Sequence, residues 1–187
     1  MIKDPHGCAG AELMSQALPL SRFILMVRDP RDVLASVLDA NQPGSWMHRE
    51  RKERAYRRLD PPPVSPDPAG LLGAKTDQYV RDMEQGIAGF RAHNGPKTVV
   101  RYEDLRTETM SLLRRVREEL DLPLDEANLR RVVRDYSWEN VPVEKKGSGS
   151  FYRKAKVGSW RVDLTPEQAR LIEARTGSIL REFYGVR

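Results

Sequence analysis

Several side chains in this 187-residue sequence are of types that bind anions, and their placement suggests a single ligand site. Arg28 follows the apolar run Arg22 to Val27 (RFILMV), and Ser36 falls two turns into the helix predicted after it. Tyr102 closes a second apolar run, Lys97 to Tyr102 (KTVVRY), and Arg153-Lys154 stands in a late segment rich in Gly, Lys and Ser. Parallel sheets bind ligands at the C-terminal ends of their strands, where Arg28 and Tyr102 are predicted to lie. A guanidinium, a hydroxyl, backbone amides and an aromatic ring together suit a nucleotide with an additional phosphate. Each residue alone also has an ordinary structural reading. Arg28 can be a surface arginine, Ser36 a solvent-facing filler, Tyr102 a packed strand-end aromatic and residues 153–156 solvated loop charge.

The elements that would position these groups can be read from periodicity. RFILMV is continuous in apolar residues, as expected of a strand buried on both faces. Asp29-Pro30-Arg31-Asp32 reads as a helix start, with Asp29 as N-cap, Pro30 in the first position and Asp32 as a capping-box partner. Val33, Leu34, Val37 and Leu38 give that helix its apolar face. Upstream, Met1 to Asp4 reads as the end of a strand and Ala9 to Leu18 as the joining helix. Strand, helix, strand, helix predicts α/β with parallel pairing. Residues 47–58 read as a charge-rich helix, whose Glu50/Arg54 and Glu53/Arg57 spacings mark a solvated face. Residues 61–70 (PPPVSPDPAG) read as a rigid surface loop within the domain. A longer helix carries Tyr79, Met83, Ile87 and Phe90 on one stripe, with His93 as its C-terminal cap. Helices are predicted at 107–121 and 125–136, and residues 137–164 as a long loop of the kind that is often functional. Thr165-Pro166-Glu167-Gln168 opens a last helix, running to about Tyr184, with a capping box. Trp46, Trp138 and Trp160 read as core or lid aromatics.

Composition narrows the function class. The chain is 39% hydrophobic and 32% charged, with a mean hydropathy of −0.62, as in a globular protein of one domain spanning 1–187. No apolar run has the length of a membrane span, and the first 20 residues lack signal-peptide order. The lone Cys8 rules out an intramolecular disulfide framework and a multi-cysteine zinc site, and it fits a cytoplasmic location. A net charge of +5 and a pI near 9.5 favour anionic ligands. Nucleic-acid binding through the charged helix ranks last among the readings, because that helix pairs its own charges.

Three stretches in this order, VRDPRDVLAS (Val27 to Ser36), VVRYEDL (Val99 to Leu105) and FYRKAKVGSW (Phe151 to Trp160), resemble the sulfotransferases that use 3′-phosphoadenosine 5′-phosphosulfate, PAPS. The resemblance runs from about Ile2 to Tyr184 and is nearest to the broad bacterial group. It implies a three-layer α/β fold with a mostly parallel sheet of P-loop-like type. It further implies transfer of a sulfuryl group from PAPS to a hydroxyl or amine on a small-molecule or carbohydrate acceptor. Adenosine 3′,5′-bisphosphate would be released, without a metal. Arg28 and Ser36 match the pair that holds the 3′-phosphate, and Tyr102 matches the tyrosine on the adenine side. Arg153, Lys154 and Ala155 match an Arg-Lys-Gly triplet that closes over the 3′-phosphate, and Gly158-Ser159-Trp160 matches a Gly-Asp-Trp. His6 is the candidate general base, and Lys3 beside it would stabilise the bridging oxygen or the transferring group. In-line positioning and charge neutralisation by cations and amides suit this chemistry, and histidine suits removal of the acceptor proton.

The departures are specific. The Pro-Lys-Ser-Gly-Thr type loop for the 5′-phosphosulfate is absent; its place would be N-terminal to Met1, so the fold is expected to lack its first strand and that loop. A truncated reading frame is favoured over a decayed relative, with weak binding and poor turnover expected of this chain. Ala155 and Ser159 stand where glycine and aspartate are usual. His6 falls three residues after Lys3 rather than two, and carbohydrate-type relatives often use a carboxylate base instead. The alternative reading is a non-catalytic relative that holds a nucleotide or a protein.

Overall fold

Two short strands and their connections bring the ends of the two central motifs together. The computed structural model of the protein describes residues 10–49, 68–123 and 125–186. Strand β1 (Phe23–Val27) pairs in parallel with β2 (Lys97–Arg101), with Phe23 opposite Lys97 and Val27 opposite Arg101. The next residues, Arg28 and Tyr102, therefore leave the sheet at the same edge. Among the described residues the sheet has these two strands; the strand predicted at Met1 to Asp4 lies outside them.

Between the strands run α2 (Pro30–Ala40) and α3 (Pro68–Ala92), and α1 (Ala11–Ala17) precedes β1. After β2 come α4 (Tyr102–Thr107), α5 (Thr109–Glu119), α6 (Glu126–Asp135), the short α7 (Trp160–Asp163) and α8 (Pro166–Tyr184). One face of the sheet buries Leu25 and Val27 against Met83 and Ile87 of α3 and Ile179 of α8. Tyr79 and Phe90 pack on the same cluster, so the predicted stripe on α3 is its core face. A second cluster joins Leu34 and Ala35 of α2 to Leu72, Leu164 and Ile172. On the other face Val100 of β2 meets Leu112, Val116 and Leu120 of α5 and its C-terminal end. Helices on both faces of a parallel pair make the three-layer α/β arrangement, and each fully buried Leu or Ile contributes roughly 1.5–3 kcal/mol. Among the described residues no helix is long and apolar enough to cross a membrane.

Several expectations need correction. β1 is not buried on both faces: Ile24 and Met26 are 48% and 54% exposed, because α5 covers that side of the sheet over β2 rather than β1. Tyr102 does not end a strand. It opens α4, whose first turn holds Glu103 and Asp104, and Asp104 pairs with Arg101 at 2.6 Å. The helix predicted at 107–121 forms as α5, and the separate α4 precedes it, ending at Thr107 where Glu108 leaves helical geometry at φ −133°. The Pro-rich segment is regular at its end, since α3 begins at Pro68; a proline suits the first turn, where its missing N–H has no partner to lose. Residues 61–67 of that segment and 50–58 of the charged helix lie outside the described residues, and 46–49 are helical. The long loop 137–164 contains two 3-10 turns and α7. His93 follows the last residue of α3, as expected of its C-terminal cap, and it is buried, with Nε2 2.8 Å from the carbonyl of Ser21. The capping box at Thr165 forms as predicted.

Candidate functional site

A cleft of about 780 Å³ opens at the C-terminal edge of the strands, lined by Arg28, Ser36, Tyr102, Arg153, Lys154 and Ala155. Six of the eight residues singled out in the sequence thus meet in one place. The other two, His6 and Lys3, lie outside the described residues.

Arg28 is held from behind. Its carbonyl accepts a hydrogen bond from the Tyr79 hydroxyl at 3.1 Å, and its guanidinium lies 4.2 Å from the centre of the Tyr102 ring. Glu103 fixes the turn next to it: one carboxylate oxygen accepts from the Asp29 amide at 3.0 Å, and the other accepts from the Tyr184 hydroxyl at 2.9 Å. Burial, reinforced by the negative charges of Asp29 and Glu103, pushes both phenols well above the ordinary tyrosine range. Tyr79 and Tyr184 therefore remain protonated donors. The Arg28 Nε is buried with no hydrogen-bond partner among the described residues. A buried donor left unpaired costs about 1–3 kcal/mol, so this atom is suited to an incoming acceptor.

The Asp29 to Asp32 turn does more than start a helix. Asp29 caps α2 by accepting from the Arg31 amide at 2.9 Å, and it pairs with the Arg31 guanidinium at 2.7 Å. Arg31 also reaches Glu173 of α8 at 2.8 Å and stacks 4.1 Å from the Trp160 ring. Asp32 is not a capping-box partner. It is fully buried and accepts from the amides of Gly158 at 2.7 Å and Trp160 at 2.9 Å. The start of α2 thereby grips the late loop, and Trp160 closes the second core cluster.

The other end of α2 holds the same loop at a second point. Asp39 accepts from the Ser148 hydroxyl at 2.5 Å and the Gly149 amide at 2.8 Å, while Trp46 meets Phe151 edge-on at 5.3 Å. Residues 152–157 are thus suspended between two anchors on α2. Ala155 within that span adopts φ +48°, a left-handed conformation that favours glycine. Its carbonyl accepts from Arg106 at 3.1 Å. Ser159, where the resemblance expects aspartate, donates to Asp163 at 2.9 Å, so a carboxylate reaches this place from one turn further on.

Sequence reasoning missed part of the lining. Arg106, Trp138 and Lys156 face the cleft, as do the apolar residues Leu113, Val132 and Val133. Trp138 lies beneath Lys146, 4.7 Å from its ring centre. Its position in the loop flagged at 137–164 was the available signal; only packing shows that α5 and α6 complete the wall. The lining carries five cationic side chains, Arg28, Arg106, Arg153, Lys154 and Lys156, against one carboxylate, Glu139. Among the described residues no group of three or more His, Cys, Asp or Glu side chains is placed to hold a metal ion.

A family model described as "Sulfotransferase domain" matches residues 10–183. The chain belongs to that family. It is 33% identical over 95 residues, 42% of its length, to "Cytosolic sulfotransferase 8" of Arabidopsis thaliana. Its fold is similar to that of the mouse sulfotransferase SULT7A1 complexed with PAP, with a TM-score of 0.57, 18% identity and 92% of this chain covered. It is likewise similar to retinol dehydratase in complex with androsterone and inactive cofactor PAP, with a TM-score of 0.55, 19% identity and 89% of this chain covered. The chain spans 29% of the plant relative and 66% and 49% of the two solved structures.

Proposed function

We propose that this chain forms the nucleotide-holding side of a sulfotransferase that uses PAPS and a hydroxyl or amine acceptor. The observation that carries the reading is the convergence of Arg28, Ser36, Tyr102, Arg153, Lys154 and Ala155 on one cationic cleft, where Arg28 Nε is buried without a partner among the described residues. PAP is adenosine 3′,5′-bisphosphate, the product of PAPS, and two proteins of similar fold carry it, which supports this choice of nucleotide.

In this reading Arg28 and Ser36 take the 3′-phosphate, with Arg153, Lys154 and the backbone at Ala155 closing over it. The guanidinium groups supply directional, charge-assisted hydrogen bonds. Tyr102 and Trp138 offer aromatic faces to the base. When bound, PAPS supplies the activated sulfuryl group. The described residues bind and orient the nucleotide and exclude water, and removal of the acceptor proton is assigned to His6 with Lys3 beside it. The acceptor is a small molecule or carbohydrate, as the androsterone bound to retinol dehydratase illustrates for that protein. The lone cysteine supports a cytoplasmic location.

Calorimetric titration with adenosine 3′,5′-bisphosphate, with adenosine 5′-monophosphate as control, tests the proposal. Selective binding of the bisphosphate is expected, with a loss of about 100-fold in Arg28→Ala, because a charge-assisted bidentate contact contributes about 2–3 kcal/mol. Equal affinity for the two nucleotides in the folded protein would refute the assignment of the 3′-phosphate. No heat with either nucleotide from a cooperatively folded protein would favour the non-catalytic relative.

A further inference from the structure

Two of the cleft's cations already have an anion supplied by the chain itself. The Arg153 side chain is 8% exposed and places Nη1 3.0 Å from Oδ2 of Asp163. Its Nη2 lies 3.4 Å from the Ser159 hydroxyl. Lys154 Nζ lies 2.5 Å from the other oxygen of Asp163. The Ser159 hydroxyl donates to Asp163 Oδ2 at 2.9 Å. A single carboxylate, itself 12% exposed, thus receives a guanidinium, an ammonium and a hydroxyl. Burial raises the Asp163 pKa, but the hydrogen bonds from Lys154 and Ser159 and the charges of Arg153 and Lys154 outweigh it and hold the group below the usual carboxylate range.

Arg28, across the cleft, is the contrast. Among the described residues its buried Nε has no partner, and its guanidinium faces an aromatic ring rather than a carboxylate. One wall of the site thus presents a cation prepared for an anion, and the other wall presents cations that an anion must share with Asp163.

We propose that Asp163 is an internal counter-anion of the cleft: it occupies Arg153 and Lys154 when no ligand anion is present and competes with a phosphate for them. The inference rests on the reading of the cleft as a phosphate site. Without the carboxylate, the nearly buried Arg153 would be an uncompensated charge, and the segment that carries it would lose order. With it, a phosphate arriving at Arg153 and Lys154 meets a like charge within the same cluster, which lowers its affinity and speeds its release. Asp163 touches no ligand in this scheme; it acts through Arg153 and Lys154 and is a positioning residue. Its place in α7, adjacent to the Asp32 grip on Gly158 and Trp160, keeps the carboxylate in position while the loop before it adjusts.

The test compares the full chain with Asp163→Asn and Asp163→Glu in a buffer free of phosphate and sulfate. Calorimetry with adenosine 3′,5′-bisphosphate should show about three- to tenfold tighter binding in Asp163→Asn, as expected when one charge is removed from a partly exposed cluster. Asp163→Glu, which restores the charge, should return affinity toward that of the parent chain. In thermal melts Asp163→Asn should unfold at lower temperature than the parent, and added inorganic phosphate should recover more of that loss than it adds to the parent. A merely structural role would lower stability without tightening binding, so unchanged or weaker binding by folded Asp163→Asn would overturn the proposal. A parent chain that ignores the bisphosphate would sink the nucleotide reading alone. The counter-anion would then be judged by inorganic phosphate, with equal stabilisation of parent and variant counting against it. Should Asp163→Asn fail to fold with and without phosphate, the parent chain decides: the 13C resonance of the Asp163 side-chain carboxyl should shift when the bisphosphate or inorganic phosphate takes over Arg153 and Lys154, and a resonance unmoved at saturation would overturn the idea.

Discussion

Removing the Asp32 carboxylate should release the late loop from the start of α2. Asp32 is fully buried and accepts two backbone N–H groups, from Gly158 at 2.7 Å and Trp160 at 2.9 Å. Hydrogen bonds to a charged acceptor contribute about 1.5–3 kcal/mol each, so Asp32→Ala removes roughly 3–6 kcal/mol if the loop stays in place with its amides unpaired. Detachment of the loop limits that loss, because the amides then bond to water, and the expected net cost is about 3 kcal/mol. For a chain of this size that corresponds to a fall of roughly 6–12 °C in melting temperature. Asp32→Asn should cost less, since its amide keeps one acceptor but turns an NH₂ toward the second amide donor. Denaturant unfolding measures the loss, and hydrogen exchange at the Gly158 and Trp160 amides localises it. A loss below about 1 kcal/mol with unchanged exchange at both amides would refute the claim that this carboxylate holds the loop.

Two further substitutions probe backbone and packing. Ala155→Gly should raise the unfolding free energy by about 0.5–1 kcal/mol in denaturant melts, because φ +48° is strained for alanine; a loss would show that the left-handed conformation is not the relevant one. Gly89→Ala should cost about 1–3 kcal/mol, since the added Cβ would lie 2.6 Å from the Ala11 Cβ and 2.7 Å from its carbonyl carbon. Gly177→Ala is the control, meeting first the mobile end of Arg181 at 3.2 Å, and equal losses at the two glycines would remove the case for a tight α1–α3 contact.

Much of this protein was legible from local chemistry. β1, α2, α3, β2 and α8 form where apolar period, N-caps and the Thr165 capping box place them, because these signals act within a few residues of the backbone they organise. The family was legible for the same reason, since three ordered motifs carry it, and so was the grouping of Arg28, Ser36, Tyr102 and the 153–155 triplet. The sequence likewise determined that position 155 lacks glycine, and the structure adds that this position is the one with positive φ.

What only the tertiary structure decided concerns partners far apart in the chain. Asp32 has the spacing of a local cap, yet its oxygens go to amides more than 120 residues away, because the fully buried carboxylate is cut off from water and takes its donors from the chain packed against it. Tyr102 follows an apolar run that favours a strand, but Asp104 pairs with Arg101 and a helix begins in place of the strand's continuation. The exposure of Ile24 and Met26 depends on which strand α5 covers, which periodicity in β1 cannot encode. Asp163 is an ordinary acidic residue in sequence; its role emerges when folding brings Arg153, Lys154 and Ser159 around it, because electrostatics depends on distance in space and on excluded water rather than on separation along the chain.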